Sequence, residues 1–351
     1  MNLLDRILDP FRGRAITIPP YDGAWRPNTA LDTARPVAAL PGADNLCADG
    51  AGVVWLSAGP ELLRLEGDAP VAVARYGAEI TALCAGADGA LLVALDDGGL
   101  FLRRGDAQED VRGLLPRRVS VTAAMADGAG FLLAEGSASH AASDWPRALM
   151  ARAGDGALWH IDPGAGRAER VAGGLAFPAG LARTAQGAPV VAEAFAHRIA
   201  TPDGSRPLLE RIPGYPGRLS PAAGDGWWLA VFAPRNRLIE LVLREDRYRA
   251  DMVAQVPPEY WIAPALHSGA SFLEPLQRGG VRTMGVRKPW APSRSYGLVA
   301  LLDAGLRPQA SFHSRADGQR HGATAVLDHA GRRLIALKGA GEVIELTGDL
   351  P

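Results

Sequence analysis

ADNLCADGAGVVWLSAG at 43–59, ITALCAGADGALLVALDDG at 80–98 and VTAAMADGAGFLLAEG at 121–136 are one phrase written three times. In each, an extended stretch runs into a tight turn carrying aspartate and glycine, and the chain returns as an apolar run such as VVWL, LLVAL or FLLA. Aspartate closes a side-chain hydrogen bond in such a turn and glycine accepts positive φ, so the phrase reads as a β-hairpin. Further copies stand at 178–195 (PAGLARTAQGAPVVAEAF), 217–232 (GRLSPAAGDGWWLAVF) and 322–339 (GATAVLDHAGRRLIALKG). Gly50, Gly89 and Gly128 lie 39 residues apart, as do Gly187 and Gly226. A period near 40 residues made of short strands is the signature of propeller blades.

The apolar runs are apolar at successive positions, so both of their faces are buried, as in sheets packed face to face. A third strand follows each hairpin: ELLRLEG, GLFLRR, GALWHID, AHRIATPDG, NRLIELVL and GEVIELTG. The reading is an all-β, six-bladed β-propeller spanning 33–348. It is preceded by an extension over 1–32 with a short helix, and a helical or irregular insertion at about 245–297 is expected between blades five and six. Loops at one end of the ring converge on a mouth.

Composition narrows the function. The chain has 351 residues, a net charge of −1 and 21% charged residues, so no global field selects nucleic acid. The 42 glycines and 27 prolines suit a fold made of turns. Cys47 and Cys84 fall in strand-like stretches of adjacent blades and read as buried free thiols, not a metal site. No segment has the roughly 18 apolar residues that cross a bilayer. The start, MNLLDRILDPFRGR, lacks the core and cleavage site of a secretory signal, so the cytoplasm is the expected location. Its Leu3, Leu4, Ile7, Leu8 and Phe11 share one helical face, which packs on the propeller or lies on a membrane surface.

Longer stretches carry a resemblance. YPGRLSPAAGDGWWLAVFAPRN at 215–236, GLAFPAGLARTAQGAPVVAEAFAHRI at 174–199, DWPRALMARAGDGALWHIDPGAG at 144–166 and LPGADNLCADGAGVVWLSAG at 40–59 resemble, in order and spacing, the strictosidine synthase-like branch of a superfamily. That superfamily also holds gluconolactonases, senescence marker protein and paraoxonases. The resemblance implies a six-bladed propeller and small-molecule chemistry in its mouth, of lactonase or other hydrolase type, or amine–aldehyde condensation.

In the calcium-dependent lactonases of that superfamily, a first-blade glutamate and later asparagines or aspartates hold a metal, which polarises the carbonyl. The resemblance places Asp44 at the glutamate position and Val121 or Thr122 at the third-blade asparagine. Ala179 falls at the fourth-blade asparagine, and Gly217 and Arg218 at the fifth-blade position. One carboxylate beside an arginine is a poor calcium site, so no cofactor is expected. The Arg218 guanidinium is instead expected to pair with Asp44 in the cation's place, against the plain reading that it points to solvent. The strictosidine synthases use a last-blade glutamate as acid and base, and here that position falls on Thr324 or Ala325.

Other candidates come from their neighbourhoods. None of the seven histidines has metal-ligand spacing. His321, just before the last copy of the repeat, is the preferred acid or base, and His267 in the insertion is placed at the mouth. Glu193 matches the family's fourth-blade glutamate and can act chemically or organise loop amides; Glu135 is an alternative acid. Asp144 and Trp145 open a short helix that caps the mouth, with Trp145 walling the pocket or packing on a blade. Arg278, Arg282, Arg287, Lys288 and Arg294 form a basic stretch, read as a solvated face or as a docking site for an anion, lipid surface or protein. Two function classes remain: a calcium-free enzyme testing Asp44, Arg218, Glu193 and His321, and a noncatalytic propeller that binds a metabolite or a protein.

Overall fold

The computed structural model describes residues 18–184, 186–268, 280–283, 286–289 and 295–348. Six four-stranded antiparallel sheets stand in a ring. Blades one to four run in sequence over 43–75, 80–110, 121–175 and 178–209, each beginning with its innermost strand. Blade five spans 214–314. Blade six takes its inner three strands from 323–345 and its outer strand from Arg35–Ala39, which pairs antiparallel with Glu342–Glu345. The first described strand therefore closes the ring, so no radial edge is left between the first and last blades. Arg332 bridges the seam, donating to Asp68 of blade one at 2.6 Å and to Glu345 of blade six at 2.9 Å.

The core lies between the blades, as the unbroken apolar runs predict. Leu92, Val93, Leu133, Leu158 and Ile161 of blades two and three are essentially sealed from solvent. The hairpin turns form where expected, with the turn glycine displaced by two residues in two of them. The left-handed glycines of the first and fifth turns are Gly52 and Gly224, not Gly50 and Gly226.

Two expectations fail in blade five. NRLIELVL, read as its third strand, is helix α1 (Arg237–Arg244), capped by Asn236, whose Oδ1 accepts from the Leu238 N–H at 2.8 Å. Ile239 and Val242 are buried on one side of that helix, so its apolar residues follow a period near 3.6 rather than 2. The third strand is Gly297–Leu302, paired with Trp227–Pro234. The insertion consequently lies inside blade five, between its second and third strands, and not between blades five and six. After α1 it continues as helix α2 (Asp246–Gln255). Ile239, Val242, Met252, Trp261 and Ile262 pack with Phe177, Phe232 and the helix Trp145–Met150, so the insertion leans over one side of the ring's mouth.

The expected helix on residues 3–11 lies outside the described residues. Of the basic stretch, Gly280–Thr283 and Val286–Pro289 form a two-stranded hairpin; Arg278, Arg294 and the side chains of the rest lie outside. Among the described residues, no helix is long and apolar enough to cross a membrane.

Candidate functional site

The mouth is made by a repeated irregularity. In blade two, Ile80 pairs with Leu95 and Ala82 with Ala94, which leaves Thr81 as an extra residue. The same one-residue bulge falls at Thr122, Ala179 and Thr324. In blade one it covers Asp44 and Asn45, and in blade five Gly217 and Arg218. A bulge breaks the alternation of a strand and re-aims a side chain. Asp44, Thr81, Thr122, Ala179, Arg218 and Thr324 all line one cavity of about 220 Å³.

Its floor is an ion quartet. Arg218 Nη1 donates to Asp44 Oδ1 at 2.5 Å and to the Thr324 carbonyl at 3.2 Å, while Nη2 donates to the Thr81 carbonyl at 2.6 Å. Lys338 Nζ donates to Asp44 Oδ2 at 2.9 Å and also contacts Glu79. Burial alone raises the Asp44 pKa, but Arg218 and Lys338 beside it outweigh that and hold its carboxyl at about 2. Burial disfavours the Lys338 ammonium, yet Asp44 and Glu79 prevail and its pKa rises. The buried Nε of Arg218 has no partner. The three threonines turn their hydroxyls to backbone carbonyls, Thr122 to Pro178 at 2.5 Å, Thr324 to Asp44 at 3.1 Å and Thr81 to Ala94 at 3.4 Å.

The opposite wall is apolar. Trp145 opens the helix Trp145–Met150 and meets Phe232 edge-on at 5.2 Å. Phe177 stacks on Phe195 at 4.5 Å, and Leu266 of the insertion completes the wall. The segment before the helix is pinned across the rim, where Ser143 donates through its amide and hydroxyl to Asp96 at 2.9 and 2.6 Å.

Of the residues singled out from sequence, Asp44, Arg218, Thr122, Trp145, Ala179 and Thr324 meet in this cavity. His267 does not: its neighbour Leu266 faces the cavity, and His267 is exposed to solvent. His321 is also absent from the lining. It is buried with Nδ1 on Ser295 Oγ at 2.8 Å and Nε2 on the Arg315 carbonyl at 2.7 Å, and burial lowers its pKa. With both ring nitrogens engaged away from the mouth, it cannot serve as the acid or base there. Glu193 is buried between the Ala176 amide at 2.8 Å and Arg198 Nε at 2.7 Å, so it organises a loop. Glu135 is sealed, paired with both Arg117 nitrogens at 2.5 and 2.8 Å and with the Trp159 indole at 2.9 Å.

Glu79 and Lys338 were missed. Each flanks a strand: Glu79 precedes Ile80, and Lys338 follows Leu337, the partner of Ala323. Asp96 follows Leu95 in the same way in blade two and also faces the mouth side, so charge just past the second strand was the available signal for Lys338, whereas Glu79, before a first strand, had none. Among the described residues no three His, Cys, Asp or Glu side chains cluster as metal ligands would.

No protein-family model matches the chain, and no curated protein matches it. Solved structures do. A putative gluconolactonase superposes with a TM-score of 0.55 at 10% identity over 90% of this chain and 94% of its own. A gluconolactonase from Xanthomonas campestris gives 0.55 at 12% identity over 94% and 97%. The calcium-binding protein regucalcin from Agrobacterium tumefaciens gives 0.51 at 14% identity over 91% and 96%. The fold is the six-bladed propeller that these proteins share.

Proposed function

We propose that this chain is a lactonase-type propeller that binds a small molecule in the mouth and works without calcium. The observation that carries the reading is the ion quartet on the axis. Calcium takes six to eight oxygens, and a carboxylate is the natural anchor. Here both oxygens of Asp44 are engaged by cationic nitrogens, Ala179 offers no donor, and the threonine hydroxyls are committed to carbonyls. The donor set does not fit the ion, and Arg218 and Lys338 would repel it.

The same groups supply an acyl-transfer site. An ammonium has three donors, and Lys338 uses two on Asp44 and Glu79, leaving one for a carbonyl oxygen. Glu79 is the more exposed carboxylate of the quartet, with 31% of its side chain accessible against 6% for Asp44. In this reading Glu79 takes a proton from water as the water oxygen attacks the lactone carbonyl. Lys338 holds the developing oxyanion, the ring C–O bond breaks, and the proton returns to the ring oxygen to give a hydroxy acid.

A thermal melt in millimolar calcium against excess chelator tests the first half, because a ligand of the folded state raises its stability. No shift is expected, with lactone opening retained in chelator. A calcium-dependent rise of several degrees sinks the reading. Glu79→Gln is expected to abolish opening while costing less stability than Asp44→Ala, because Lys338 keeps Asp44 as its partner. A chain that binds lactones and opens none is the noncatalytic propeller instead.

A further inference from the structure

The two sides of the mouth are chemically unlike, and this asymmetry specifies the ligand. On one side stand Trp145, Phe177, Phe232 and Leu266; on the other stand the four charged groups of the quartet. Among the described residues, those four are the charged side chains of the lining, two of each sign and paired among themselves, so none of them awaits a counter-ion. Hydroxyl donors are equally scarce. The three threonines are turned to backbone carbonyls, and the Ser143 hydroxyl is held by Asp96. A polyhydroxylated ligand would leave several of its own hydroxyls facing aromatic carbon, at the cost of their hydration.

We infer that the mouth takes an uncharged molecule with a flat apolar body and a single carbonyl head, and discriminates against polyhydroxylated sugar lactones. The body lies against Phe232 and Leu266, and the carbonyl reaches the remaining N–H of Lys338. The inference rests on the mouth being the ligand site of the proposed lactonase-type function, and binding separates it from turnover.

The test uses the full chain and two lactams, which mimic lactones but do not open: 3,4-dihydroquinolin-2-one, flat and apolar, and glucono-lactam, polyhydroxylated. Calorimetric titration is expected to show binding of the first and none of the second. Phe232→Ala and Leu266→Ala are each expected to weaken the first by about tenfold, as loss of a buried apolar contact should. The second variant guards against misfolding of the first, since Leu266 belongs to the insertion rather than to a blade strand. Glucono-lactam binding as tightly as the quinolinone overturns the inference, and so does quinolinone binding that ignores both substitutions. Turnover of the parent lactones, dihydrocoumarin and gluconolactone, separates the two claims. Gluconolactone opened with dihydrocoumarin ignored removes the ligand class and keeps the lactonase. The quinolinone bound with neither lactone opened does the reverse.

Discussion

At the mouth, the inner strands of blades one, two and five present Asp44, Thr81 and Arg218; farther along, those of blades one to three present Cys47, Cys84 and Met125. The lower residues line a second cavity of about 360 Å³, apolar but for Arg218 in its roof and Ser220 and Asp328. Arg218 is the residue the two cavities share. Burial acts on both ends in the same direction, with opposite results. It pushes the Cys84 thiol up to about 12, whereas Asp44 falls to about 2 because two cations face it. The bulge decides which residues belong to which end. Above it a side chain turns into the mouth and needs a partner; below it the strand resumes alternation and packs on the next blade.

The sharpest way to break this contrast is Asp44→Ala, which leaves Arg218 and Lys338 facing each other without their shared carboxylate. A loss of about 3 kcal/mol is expected in denaturant unfolding, at the lower end for a broken buried pair because both cations keep other acceptors. Asp44→Leu combined with Arg218→Met should lose less than Asp44→Ala alone. Equal stability of Asp44→Ala and the parent would make the quartet ornamental.

Acid sharpens it next. The Asp44 pKa falls from 3.8 to about 2 on folding, so its contribution is complete above about 4 and disappears as pH drops toward 2. That contribution amounts to about 2 kcal/mol. The stability gap between the parent and Asp44→Asn should therefore narrow over that window; a gap that stays constant to pH 2 contradicts the pairing.

The smallest effect belongs to the lower end. Cys84→Ala removes one small apolar group and is expected to cost about 1 kcal/mol, without pH dependence between 5 and 8. Both thiols should react sluggishly with a disulfide reagent at pH 8, since burial raises each pKa. Rapid labelling of Cys47 or Cys84 in the folded chain would show the lower end to be more open and more polar than described.

The blades were legible because each one solves its own problem locally. The turn at Asp88 and Gly89 and the run Leu91–Leu95 are a hairpin wherever they occur, and the stacking of such hairpins follows from two buried faces. The stretch 237–244 misled because Leu, Ile and Val supply apolar residues to both periods. Packing against Met252 and Trp261, with Asn236 as the cap, selects the helix. His321 and Glu193 stood near the right loops, yet proximity in sequence says nothing of where a ring nitrogen or carboxylate finds its partner. Glu79 and Lys338 were overlooked because 259 residues separate them: Glu79 stands just before the second copy of the repeated phrase, and Lys338, though inside the sixth, carries no local sign of its partner.

By itself, the sequence determined six hairpin-based blades and a charge balance near zero. Those are properties of local propensity and of composition, which need no long-range contact to be read. The tertiary structure decided that Asp44, Arg218 and Lys338 of three blades and Glu79 of the connection into a fourth converge on the mouth as a closed quartet. It also decided that Trp145, Phe177 and Phe232 join Leu266 of the insertion in an apolar wall opposite them. Ring closure brings those residues together, and desolvation then makes their pairing obligatory, because a lone charge buried there would be far costlier than a paired one.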